Sequence, residues 1–276
     1  MIFSSVMGLL LGIFLTFISF LCLFGFSPDL AQMISPMVFA VLKDVGGPVA
    51  AGFGGAIAGA FCSYVFQQRN EKVKEDKSDI SAMHKTFVRL SVQLNDFFSA
   101  KELNIYPHLT SRFRFIDIPK IPTSPSIIDQ VDPRIIDIAV SLKNGEAIEV
   151  IYLAEARYKA CFETFNRRNS QMDEFRAALK SAGLEHGGIE EIYQAVGQGQ
   201  LIELHIMTEQ MIEILDGAIR TLSEAMELTA DMMDKKFKGA GGARLKVDLK
   251  EEHQHLTKAV LPYFNVDTLK AYLEKF

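Results

Sequence analysis

Hydrophobic residues follow two spacings along this chain. Ile2 to Phe26 is an unbroken run of 25 residues without a charge, and Pro48 to Phe66 is a second of 19. As helices they would be about 37 and 28 Å long, enough to cross a hydrocarbon layer of ~30 Å. Beyond Phe66 the runs give way to periodic stripes. Met83, Phe87, Leu90, Leu94 and Phe97 step by four and three, which predicts a helix continuing from the second run to about Phe98. Ile151, Tyr158, Phe165, Met172 and Leu179 recur every seventh position, with Ala154, Cys161 and Phe175 as a second row, and predict a helix from Ala147 to Leu179. The clearest pattern is Leu201, Leu204, Met211, Leu215, Ala218, Leu222, Ala225 and Met232, with only Thr208 and Thr229 out of type. Ile212, Ile219, Met226 and Met233 widen that face beyond a two-stranded zipper, to the breadth a multi-helix bundle needs.

Between these stripes the pattern breaks. Residues 101–125 carry Pro107, Pro119, Pro122 and Pro125, and the alternation Arg112-Phe113-Arg114-Phe115-Ile116-Asp117-Ile118 reads as a brief extended stretch with Arg112 and Arg114 on one side. Ser126 to Leu142 predicts a helix or helix pair, with Asp132 as cap and Pro133 in the first turn. Gly183 to Gly199 holds a short helical piece around Ile189 to Val196. Two terminal helices, Val247 to Val260 and Val266 to Phe276, flank Pro262. The fold class that follows is all-α: an N-terminal two-helix transmembrane hairpin (1–66), a helical stalk (67–100) and a cytoplasmic multi-helix domain (101–276).

Charge sharpens the division. Residues 67–276 hold 28 of the 29 Lys and Arg and 32 of the 34 Asp and Glu, with signs interspersed, which offers no broad surface for duplex nucleic acid. Arg69, Lys72, Lys74 and Lys77 follow the second run, against Lys43 alone in the connection, so the positive-inside rule puts both termini in the cytoplasm and residues 27–45 outside. The lack of a basic stretch ahead of the first run argues against a cleaved signal peptide.

AAGFGGAIAGA, from Ala50 to Ala60, is then the middle of the second helix rather than a loop or a phosphate cradle. Gly8, Gly12 and Thr16 in the first run, and Ala51, Gly55, Gly59 and Ser63 in the second, recur at every fourth position and draw flat stripes on which helices pack closely in lipid. The stripes either dock on each other or join neighbouring copies. Neither run carries an ionisable residue, which disfavours a proton or ion pathway.

Chemistry-bearing patterns are sparse. Cys22, Cys62 and Cys161 form no framework, and the six histidines make no metal or hydrolase motif; His253 and His255, two apart, point to different faces of a helix. Glu203, Glu209 and Glu213 read as solvated helix faces. No enzyme, cofactor or small-molecule substrate is indicated. Local basic spots remain: Arg112 and Arg114; Arg167 and Arg168, where Arg168 interrupts the second apolar row; and Lys235, Lys236, Lys238 and Arg244 in a glycine-rich turn lacking the GxxxxGK[ST] order. Each is a candidate nucleic-acid or partner contact, or else a solvated or snorkelling cation.

The two runs, the stalk Gln67 to Phe98 and the helix Tyr152 to Asn169 (YLAEARYKACFETFNRRN) together resemble the two-transmembrane effectors of bacterial anti-phage systems, of the retron-associated kind. That resemblance implies an inner-membrane effector held inactive by a reverse transcriptase with its RNA–DNA product, which on release perturbs the membrane and kills the infected cell. Membrane lipids and further copies of the chain would be its other partners. The competing expectation is a non-toxic membrane-tethered adaptor recruiting a protein or nucleic acid through its bundle.

Overall fold

The computed structural model describes, apart from isolated positions before Gly47, residues 47–125, 130–184, 187–237 and 251–276. The chain divides into two compact units, Met1–Asp76 and Lys77–Phe276. Among the described residues every regular element is helical, in agreement with the all-α expectation.

α1 (Gly47–Ala100), whose residues to Asp76 belong to the first unit and the rest to the second, begins at the glycine before Pro48, a residue tolerated in a first turn because its missing N–H has no intrahelical partner there. From Gly47 to Phe66 it carries no charge, and Val49, Phe53, Phe61, Tyr64 and Phe66 are exposed. Among the described residues no helix is long and apolar enough to cross a membrane. The run Ile2–Phe26 and the connection Ser27–Val45 lie, but for isolated positions, outside the described residues.

The second unit is built on α4 (Gly145–Ser181) and α5 (Ile189–Lys236), which pack along each other. Asn144 starts α4: its side chain accepts from the Ala147 N–H at 3.2 Å, taking up one of the donors that the first turn leaves free. The heptad row behaves as its spacing requires, with Ile151, Tyr158, Phe165 and Met172 all buried. Leu201, Leu204, Met211, Leu215, Ala218, Leu222, Ala225 and Met232 of α5 are buried too, together with Met83, Leu90, Leu94 and Phe97 of α1. Each large aliphatic side chain so buried is worth about 1.5–3 kcal/mol. The two threonines that break the α5 pattern are satisfied inside. Thr229 donates to the Ala225 carbonyl at 2.7 Å, and Thr208 accepts from Arg168 at 3.4 Å.

Three local expectations are corrected. The stretch 112–118 is not extended: Arg114–Asp117 forms a helical turn, α2, because the Ile118 N–H closes on the Arg114 carbonyl and the Arg114 side chain is drawn inward. α3 (Arg134–Ser141) is shorter than Ser126–Leu142; Pro133 caps it and the Asp132 carboxylate accepts from the Arg134 N–H, while 126–129 lie outside the described residues. Of the expected helix Val247–Val260, the described part is a 3₁₀ segment, Glu251–Thr257. The last helix, α6 (Val266–Leu273), is capped by Asn265, which accepts from the Thr268 N–H at 2.8 Å.

α1 passes into a π-helical turn, Lys101–Ile105, and a 3₁₀ turn containing Pro107. α5 is broken at Gly197, whose φ of 80° and ψ of 166° belong to a region essentially reserved for glycine. The core has two parts, and residues on both sides of the break belong to the smaller one. A large cluster runs through α1, α3, α4 and α5, and a smaller one gathers Phe115, Met172, Phe175, Leu201, Leu204, Phe264, Leu269 and Leu273.

Candidate functional site

The polar groups buried within the second unit set the geometry of its most elaborate region. Lys101, 1% exposed, donates to the Asp216 carboxylate at 2.6 Å and to the carbonyls of Leu256 and Lys258. Arg114 forks onto both oxygens of Glu209 and also donates to the carbonyls of Leu109, Val260 and Leu261. Arg168, fully buried, donates to the carbonyls of Phe115, Ile118 and Pro119. Burial pushes its pKa down to about 10, with Arg176 adding to the effect, so it stays charged at neutral pH. Asn169 completes the set by exchanging two hydrogen bonds with the Ile121 backbone. The short turns of 101–121 and the stretch 256–261 lack a continuous ladder, and these side chains supply donors to their carbonyls.

A second feature sits on the surface of the same region. The Arg112 guanidinium lies 4.3 Å from the ring centre of Tyr272 and 5.2–5.4 Å from those of Phe113, Tyr263 and Phe264. The rings also pack on one another, Phe113 on Phe264 at 5.9 Å and Phe264 on Tyr272 at 5.2 Å. Leu261 and Tyr263 stand out from it, 88% and 66% exposed. Beside it a cleft of about 340 Å³ is lined, among the described residues, by Phe113, Ile116, Leu179, Leu184, Ile189 and Ile192, with Asp117 at its edge. The buried cations are spent on the chain's own carbonyls and acids, so what the region presents outward is the Arg112 collar and the apolar cleft.

Elsewhere Arg89 and Gln93 of α1 hold Glu155 at 2.6–2.8 Å, and Asp79 pairs with Arg134 and Lys236. Burial raises the Asp79 pKa, but its hydrogen bonds from Lys236 and Arg134 and their charges outweigh this and hold it below the ordinary value. His205, 3% exposed, lies edge-on to Phe115, and its Nδ1 has no partner among the described residues. Burial lowers its pKa; Glu209 opposes that shift and Arg114 reinforces it. Burial pushes the Cys161 thiol up to about 12, which leaves it a poor nucleophile. Among the described residues no group of three or more His, Cys, Asp or Glu side chains could hold a metal.

The residues singled out in the sequence therefore separate. Arg112 is in the collar, whereas Arg114 and Arg168 are buried and bonded within the chain, so neither offers its guanidinium to a partner's phosphate. Glu209, read as a solvated acid, is the counter-charge of Arg114. Arg167 and Lys235 are exposed, Lys236 is paired to Asp79, and Lys238 and Arg244 lie outside the described residues. Gly8, Gly12, Ala51, Gly55, Gly59 and Ser63 are all exposed, and nothing stands within 4 Å of where a Cβ would lie on any of the four glycines. Lys101, Glu155, Asp216 and the collar rings Tyr263, Phe264 and Tyr272 were not singled out; the signal available for the collar was Tyr263-Phe264 directly after Pro262. No protein family, no curated protein and no solved structure matches the chain.

Proposed function

We propose that this chain is a membrane-anchored effector whose helical body is held in check by partners in the cytoplasm. The observation that carries it is the beginning of α1, where no charge occurs from Gly47 to Phe66 and large apolar side chains are exposed. So large an uncovered apolar surface calls for lipid or for another chain. In this reading that segment and the run Ile2–Phe26 form the anchor in the bacterial inner membrane, with both termini cytoplasmic. The small-residue stripes serve as its assembly surface. The resemblance to retron-associated effectors suggests a reverse transcriptase with its RNA–DNA product as the restraining partner, and membrane perturbation after release as the lethal step.

The test is expression of the full chain alone in a bacterium, followed with a potential-sensitive dye and by alkaline extraction of membranes. The chain stays in the extracted membranes, potential collapses, and Gly55→Leu or Gly59→Leu restores it. Extraction into the soluble fraction refutes the anchor, and collapse that both substitutions leave intact refutes the stripe mechanism. A second reading, a harmless tethered adaptor, draws on the exposed Leu261 and Tyr263 beside the Arg112 collar. It requires unchanged potential and growth in the same experiment.

A further inference from the structure

The segment 251–276 is attached to the rest of its unit in an unusual way. Its backbone is held by side chains of one short stretch: Lys101 on the carbonyls of Leu256 and Lys258, and Arg114 on those of Val260 and Leu261. Arg112 reaches the same segment through the rings of Tyr263, Phe264 and Tyr272. Apolar anchoring comes from Phe264, Leu269 and Leu273, which with Phe115, Met172, Phe175, Leu201 and Leu204 make up the smaller core cluster. At its end Phe276 meets Tyr193 across 6.2 Å between ring centres, and its backbone carbonyl accepts from Gln194. The larger cluster takes Leu256 from the segment, with Val260 packed against it and His253 on the ring of Phe98.

We propose that residues 251–276 form an exchangeable strap, and that the groove they fill also receives the strap of a second copy of this chain. Three points support this occupant. The groove is matched in charge and shape to this sequence, with cations placed on strap carbonyls and apolar pockets on Phe264, Leu269 and Leu273, and every other copy carries the same sequence. Removing the strap takes Leu256, Val260 and His253 from the edge of the larger core, uncovers Phe113, Phe115, Leu201 and Leu204 in the smaller one, and leaves several donors of Lys101 and Arg114 without acceptors, so the open groove demands a replacement of the same chemistry. Thirteen residues, 238–250, separate Phe237 from Glu251 in the sequence, a reach of up to about 45 Å when extended. Own and exchanged straps make identical contacts, so local concentration and the connecting length decide between them. Exchange does not depend on the membrane reading, although an anchor would concentrate the copies.

The experiment uses two full-length copies with tags of different size, co-expressed. One copy carries Phe276→p-benzoylphenylalanine, a photoreactive ring that forms an adduct with whatever lies beside it. Strap exchange gives, on illumination of intact cells, a band joining the two tags, with the adduct mapped to residues 189–196 of the other copy. Leu269→Asp in the photoreactive copy abolishes that band. Adducts confined to the copy that carries the probe, or inter-copy adducts mapping outside the groove, overturn the proposal. The readout is informative whether or not the aspartate variant folds, because the unsubstituted strap alone separates the two results.

Discussion

Replacing Arg168 with methionine tests how much the buried donors hold in place. Methionine keeps most of the stem's volume and removes every donor. The carbonyls of Phe115, Ile118 and Pro119 then stay dry without partners, and the Thr208 hydroxyl loses its contact. Each such group costs about 1–3 kcal/mol, and partial relaxation of α2 brings the sum to roughly 3–5 kcal/mol. For a folded unit of this size that is a fall of roughly 6–20 °C in Tm. The assay is thermal and urea unfolding of the full chain in mild detergent, followed by circular dichroism. Arg167→Met, one residue away and exposed, is the control, expected to change stability by no more than about 0.5 kcal/mol. Arg168→Lys falls between the two, since a single ammonium cannot match the fork of a guanidinium across three carbonyls. If Arg168→Met and Arg167→Met melt together, the carbonyls of 115–119 are satisfied by something else and the anchoring argument fails.

Three other outcomes follow from the same geometry. Gly197→Ala forces a side chain into φ 80°, ψ 166°, and lowers stability by about 1–3 kcal/mol in the same unfolding assay, with hydrogen exchange rising first in 189–196. His205 is buried in its neutral form with a lowered pKa, so it leaves stability unchanged above about pH 6.5 and reduces it as pH falls from there toward the folded value; His205→Leu flattens that limb of a Tm-against-pH curve. Asn144→Ala removes the N-cap of α4 and costs about 1 kcal/mol in urea unfolding, which Asn144→Asp largely avoids.

The long helices were legible in the sequence because their stabilisation is periodic. Ile151, Tyr158, Phe165 and Met172 recur at seven, which drifts only about 20° per repeat, so they share a face and are buried, while Leu179 at the end of the row is half-buried. Residues 101–121 were not legible for the converse reason. Arg112 to Ile118 alternates like a strand, but among the described residues there is no strand to pair with it. Its form is set by Glu209 and Arg168, 95 and up to 53 positions away, and no local pattern reports such partners. Arg168 looked like a fault in an apolar row because periodicity counts hydrophobicity, whereas this position is buried by hydrogen bonding. The collar was hidden in the same way: Arg112 and Tyr272 meet only after the chain has doubled back across most of its unit.

The pairing of Lys101 with Asp216, and of Arg114 with Glu209, also has a consequence in time. During synthesis the stretch carrying these cations leaves the ribosome some hundred residues ahead of its acids, and further still ahead of the carbonyls of Leu256 and Val260. Until α5 is made, two cations and the apolar residues between them stand uncovered, open to chaperones and proteases. A chain interrupted before residue 209 cannot close this region at all, so incomplete copies carry their own mark for removal.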